Sequence, residues 1–168
     1  MHTYKVSVLT LLYLSAAFDT IDHDILLHCL EHTFGLQGTA FAWFRSYLSD
    51  RTQTVPIDGR LSSPTIIHYG VPQGSVLGPI LFFLYTQPLS CVISRHPVSH
   101  QLYADDTQLY SSNSPSEISA TIHNMEKCIC DVKSWMICNK IQINNDKTET
   151  IQTATQQTYT SQVLPSTF

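Results

Sequence analysis

The chain has 168 residues, 43% of them apolar and only 13% charged, and a net charge of −4 at pH 7. That length supports one domain with a real core, and the charged share is about half the usual one, so the surface is expected to be poor in charge. Nine Lys and Arg residues with no basic run argue against tight, non-specific nucleic-acid binding, which draws its affinity from cations that neutralise phosphates. Five cysteines, Cys29, Cys91, Cys128, Cys130 and Cys138, form no paired C-x-x-C array, which points to reduced thiols rather than a zinc site.

Residues 4–14 read as a central strand, because Val and Leu run through them with no sustained polar alternation. Lys5, the apolar run to Leu14 and the small residues Ser15, Ala16 and Ala17 also have the layout of a signal peptide; the reading adopted is a buried strand of an intracellular protein. A turn from Asp19 to Asp22 leads to a helix over 24–34, with Asp22 as N-cap, Gly35 as stop and Ile25, Leu26, Leu30 and Phe34 as its apolar face. His28 and His32 stand four apart on that helix and, lacking a third ligand on their face, read as surface histidines. The pattern predicts a second helix over 38–48, whose aromatic stripe of Phe41, Trp43, Phe44 and Tyr47 is expected in the core.

Residues 51–57 and 64–69 are strand-like around a turn at Asp58-Gly59, a hairpin that feeds Gly70-Val71-Pro72-Gln73-Gly74-Ser75-Val76-Leu77-Gly78-Pro79. The glycines of this loop let backbone come close to another chain, and Gln73 offers both a donor and an acceptor. The same residues also read as a linker to a helix that starts near Pro79. Residues 76–93 are apolar, but Gly78, Pro79, Gln87 and Pro88 interrupt them, which argues against a membrane span.

Leu102-Tyr103-Ala104-Asp105-Asp106-Thr107-Gln108-Leu109-Tyr110 predicts strand, tight turn and strand, with two adjacent carboxylates at the tip. Such a pair needs a counter-charge that a divalent cation supplies well, although Asp-Asp also reads as an ordinary polar turn. Ser114-Pro115-Ser116-Glu117 is a helix start with a capping box, and Ile118, Ile122, Met125, Ile129, Val132 and Met136 carry an apolar stripe to about Cys138. On that helix Cys128 and Cys130 point in different directions. Residues 141–143 and 148–153 read as a small closing hairpin with Lys147 near its turn, and the Thr-, Gln- and Ser-rich end is expected to be disordered. The mixture fits an α+β fold with helices on one side of a sheet.

Four of these stretches, in this order, resemble the palm domain of reverse transcriptases, and their wording is closest to the non-LTR, LINE-type retrotransposon enzymes. Leu14-Ser15-Ala16-Ala17-Phe18-Asp19-Thr20-Ile21-Asp22-His23 resembles the first catalytic motif and the loop from Gly70 to Pro79 the template and nucleotide loop. Tyr103-Ala104-Asp105-Asp106 resembles the catalytic hairpin and Ile143-Asn144-Asn145-Asp146-Lys147-Thr148-Glu149 the lysine-bearing motif. The resemblance covers about residues 5–152 and implies a reverse-transcriptase-like palm: an antiparallel sheet with a catalytic β-hairpin, helices packed on one face, and fingers and thumb largely missing. It implies Asp105 and Asp106 as catalytic, metal-binding carboxylates for Mg2+ or Mn2+, and Lys147 as the acid that protonates pyrophosphate. Phe18 is then the steric gate against a ribose 2′-hydroxyl, with Gln73, Gly74 and Tyr103 on the nucleotide or template. The implied partners are an RNA template, a DNA primer and dNTP.

Tyr13 departs from that pattern, standing where the family carries its first catalytic aspartate. Polymerisation by two divalent ions needs carboxylates from more than one strand, and a phenol is bulky and offers one oxygen. Asp19, six residues on, already has its own place in the pattern. The expectation is therefore a partial reverse transcriptase domain over residues 1–153, followed by a disordered tail over 154–168, with turnover lost at Tyr13. Two other readings stay open: an active palm that needs further domains, and a non-enzymatic module whose charge-poor surface meets a protein partner.

Overall fold

A computed structural model describes residues 5–72, 74–154 and 162–163. In chain order its elements are β1 (Val6–Ser15), α1 (His23–His32), α2 (Gly38–Leu48), β2 (Thr52–Gln53), β3 (Pro56–Ile57), β4 (Arg60–Leu61), β5 (Thr65–Ile66), α3 (Leu77–Thr86) and α4 (Pro88–Ile93). There follow β6 (Ser99–Tyr103), β7 (Asp106–Asn113), α5 (Ile118–Cys138), β8 (Gln142–Ile143), β9 (Glu149–Ala154) and β10 (Gln162–Val163). The chain comprises two compact units, Met1–Ala17 with Thr86–Phe168, and Phe18–Tyr85.

The first unit is an antiparallel sheet in the order β10-β9-β1-β7-β6. Along β1, Val6, Val8, Thr10, Leu12 and Leu14 are buried, while Ser7, Leu9, Leu11, Tyr13 and Ser15 are half-buried. The strand is central, as expected, but only one of its faces is closed. Leu occupies both parities, so hydropathy conceals an alternation that burial reveals. Helix α5 lies against β7 and β1, and α4 against β6 and α5. Met125, Ile129, Val132 and Met136 of the expected stripe are buried together with Thr121 and Cys128, each large apolar side chain contributing about 2 kcal/mol. The start of this helix is the expected capping box: the Ser114 hydroxyl donates to Glu117 Oε2 at 2.7 Å, and Pro115–Glu117 form a 3-10 turn. The two hydrogen bonds from Ser114 hold the Glu117 carboxyl below its ordinary pKa.

The closing hairpin does not form. Strands β8 and β9 both pair with β1, at Leu14↔Ile143 and from Leu11↔Glu149 to Val6↔Ala154, so they are one interrupted partner of β1. Residues 144–148 bulge out between them, held by the Asn144 amide on the Tyr13 carbonyl at 2.8 Å and by the Thr148 hydroxyl on the Asn144 carbonyl at 3.0 Å. Of the tail expected from residue 154, Ala154 closes β9 and Gln162–Val163 pair with Ile151 and Gln152, while residues 155–161 and 164–168 lie outside the described residues.

In the second unit, Asp22 caps α1 as expected, accepting from the Asp24 and Ile25 amides at 3.0 Å each. The buried face of α1 is His23, Leu26, Cys29 and Leu30, whereas Phe34 is exposed. Burial raises the Cys29 thiol pKa. The aromatic stripe of α2 is not core, contrary to expectation: only Leu48 is buried, Phe41, Phe44 and Tyr47 are half-buried, and Trp43 is 50% exposed with its ring stacked on Tyr47. Amphipathic spacing identifies an apolar face without saying that anything covers it. The expected hairpin is two short ribbons, β2 with β5 and β3 with β4, about a turn in which Asp58 and Gly59 both have positive φ. That is the pattern of a two-residue type I′ turn. In α3, Leu81, Phe82 and Tyr85 are buried. Among the described residues no helix is long and apolar enough to cross a membrane.

Candidate active site

The hairpin of β6 and β7 is closed by the pair Tyr103↔Asp106, so its turn is Ala104-Asp105. The sequence placed both acids at the tip; the structure puts Asp105 in the turn, exposed, and makes Asp106 the first residue of β7, half-buried. Ala104 has φ 50 whereas Asp105 is not among the positive-φ residues, the pattern of a type II′ turn whose first central position favours glycine. An alanine held there costs about 1 kcal/mol, strain located at the acidic tip.

Across the other edge of β7, Asp106 is the register partner of Tyr13 on β1. Directly opposed residues of an antiparallel pair lie on one face, so Tyr13, Asp106 and Tyr103 form a row across three strands. It lies on the face where Leu9, Leu11 and Tyr13 are only half-buried, and Tyr103 is 72% exposed. The exposed Lys147 sits on the 144–148 bulge, which the Tyr13 carbonyl anchors, so the fold brings the lysine-bearing loop to the same end of β1.

The remaining expected residues belong to the second unit. The Phe18 ring packs against Phe82 of α3, with ring centroids 4.9 Å apart. Gly74 has open space around it, and Ser75 Oγ donates to the Pro72 carbonyl at 2.7 Å and accepts from the Gly78 amide at 3.0 Å, which leads the loop into α3. Gln73 lies outside the described residues. A cavity of about 490 Å³ opens beside the start of this loop, lined by Asp19, Arg51, Gln53, His68, Tyr69 and Gly70 among others. Two residues without an expected role stand out there, His23 and Arg51, both hydrogen-bonded to the Gly70 carbonyl. No side-chain pattern could flag them, because what they bind is backbone.

The carboxylates of the hairpin stand opposite a phenol. Asp105 and Asp106 are acidic oxygens at its tip, but the strand facing Asp106 presents a phenol, and among the described residues no three His, Cys, Asp or Glu side chains gather as metal ligands.

An antiparallel sheet carrying an acidic two-residue turn, with helices against one face, is an arrangement that agrees with a polymerase palm. The chain matches the family Reverse transcriptase (RNA-dependent DNA polymerase) over residues 2–164, and it belongs to that family. It is 32% identical over 138 residues to the probable RNA-directed DNA polymerase from transposon BS of Drosophila melanogaster, covering 79% of this chain and 15% of that protein. To the RNA-directed DNA polymerase from mobile element jockey of the same species it is 29% identical over 152 residues, covering 88% and 16%. The chain is thus a reverse transcriptase domain of the LINE type that spans about a sixth of the length of these relatives. Among solved structures, apo telomerase from Candida tropicalis superposes with a TM-score of 0.69 at 16% identity, over 93% of this chain and 33% of that one. Telomerase from Candida albicans gives 0.58 at 17% identity, over 92% and 27%. At these identities the likeness concerns the fold, and it agrees with the expected palm. The family uses divalent metal ions.

Proposed function

We propose that this chain is a LINE-type reverse transcriptase palm in which metal-dependent polymerisation has been lost at position 13. One observation carries the proposal: the residue opposite Asp106 in the β1–β7 register is Tyr13. A carboxylate in that place would share cations with the hairpin, whereas a phenol leaves the hairpin acids without a partner strand. In the same reading Asp105 and Asp106 are the remnant catalytic pair, Lys147 is the proton donor to the leaving group, and Phe18, Gln73, Gly74 and Tyr103 line the nucleotide and template path. RNA template, DNA primer and dNTP are its ancestral partners.

The test grafts residues 5–152 into a complete related enzyme in two versions, one with Tyr13 and one with Tyr13→Asp. Primer extension on RNA is expected from the Asp version alone. Extension by the Tyr version would show that other groups hold the ions and would overturn the proposal. A second reading, a protein-binding module, draws on the exposed Trp43, Val55, Ile57, Leu61 and Ile66. It takes over if the Asp version also fails while remaining folded.

A further inference from the structure

His23 is buried, 8% exposed, and its imidazole Nε2 lies 2.8 Å from the Gly70 carbonyl oxygen. A carbonyl only accepts, so Nε2 carries the proton. Arg51 Nη1 donates to the same oxygen at 3.2 Å. The backbone around this point is tied in parallel: the Gly70 amide donates to Ile21 at 2.7 Å, Val71 to Phe18 at 2.9 Å and His23 to His68 at 3.3 Å, and Asp22 and Tyr69 form an antiparallel bridge. Residues 69–71 are thus tied to the 18–23 turn at several points, and the Gly70 carbonyl is the one that takes side-chain donors from both His23 and Arg51.

We propose that His23 and Arg51 are positioning residues for the glycine-rich loop, two side-chain donors that clasp the Gly70 carbonyl and lock the loop's entrance onto the turn that follows β1. Each donor is aimed by its own element. His23 is the first residue of α1, whose capped start fixes the backbone from which the ring projects, and Arg51 immediately precedes β2. The sharing has an energetic reason: the buried imidazole and the half-buried guanidinium need acceptors, and an amide carbonyl has two lone pairs. The clasp uses neither Asp105 nor Asp106, so it goes beyond the polymerase reading and stands whether or not the chain turns over.

The test is NMR on the full chain. Long-range 15N spectra are expected to show His23 protonated at Nε2, with that proton protected from exchange. In His23→Asn and Arg51→Ala, amide exchange at Gly70 and Val71 should rise about tenfold, the factor one net hydrogen bond is worth. In His23→Gln, whose amide reaches the Nε2 position, exchange should stay near the original rate, and β1 and α5 should keep their protection in all three variants. Equal acceleration in the Gln and Asn variants would reduce His23 to a space-filler and overturn the clasp, as would unchanged exchange at Gly70. Should the variants unfold, the unaltered chain decides: a His23 ring protonated at Nδ1 alone refutes the proposal, and a protected Nε2 proton upholds it.

Discussion

Tyr13 faces Asp106 across the β1–β7 pair, at the first residue after the hairpin turn. Placing Asp at 13 sets a second carboxylate directly against Asp106, and like charges in that arrangement repel. In the chain by itself, Tyr13→Asp is expected to lower stability by about 1 kcal/mol in a metal-free buffer, with millimolar Mg2+ or Mn2+ recovering the loss by binding the folded form. Urea denaturation with and without the cation checks this. If the two curves coincide, the opposed positions do not form a cation site.

Gly70 should be far less replaceable than Gly59. Both have positive φ, 82 and 76, but a Cβ on Gly70 would sit 3.2 Å from the Asp19 Cα and carbonyl oxygen and 3.3 Å from the Phe18 carbonyl, whereas at Gly59 it meets nothing within 4 Å. Gly59→Ala carries only backbone strain of about 1 kcal/mol, and Gly70→Ala adds a backbone clash for a total of about 2–4 kcal/mol. Urea midpoints of the two variants measure the difference, and equal midpoints would mean that the 18–23 turn yields without cost.

Alkaline pH should loosen the first unit through Cys128. Burial, and secondarily the negative charge of Asp131, pushes its thiol from the ordinary 9.0 up to about 11. A group with a raised folded-state pKa holds its proton longer when folded, so its contribution is complete below about pH 9 and is lost as pH rises toward 11. The urea midpoint should fall across that window, and Cys128→Ala should flatten part of the fall. Cys29 acts in the same direction, and Tyr85, pushed to about 12 chiefly by burial, does so at higher pH. A midpoint indifferent to pH in this range would mean that the Cys128 thiol is hydrated.

Much of this was legible because local chemistry and the fold agree. Asp22, Ser114 and Glu117 cap helices where their spacing says they should, and Asp58-Gly59 turns a ribbon by accepting positive φ. What the sequence concealed is pairing at a distance. Residues 141–143 and 148–153 look like a hairpin because both are short and β-favouring, yet β1 offers each a better edge than they offer each other. The burial of Thr10, whose hydroxyl lies 3.1 Å from that of Thr150, likewise depends on a residue far along the chain. In the site, Tyr13 could be placed against the hairpin acids only by resemblance until the register put it opposite Asp106. The clasp on Gly70 has no sequence pattern at all.

The central place of β1 also has a consequence on the ribosome. Its partners are residues 106–113 on one side and 142–154 on the other. At about 5–20 residues per second, the most apolar strand of the chain waits on the order of ten seconds after synthesis with both edges bare. Such non-local pairing is slow to nucleate, and a bare strand edge recruits other strands. A nascent chain stalled before residue 106 is thus a substrate for chaperones or a seed for aggregation; β7 then covers one edge of β1, and the other stays bare until β8 and β9 emerge.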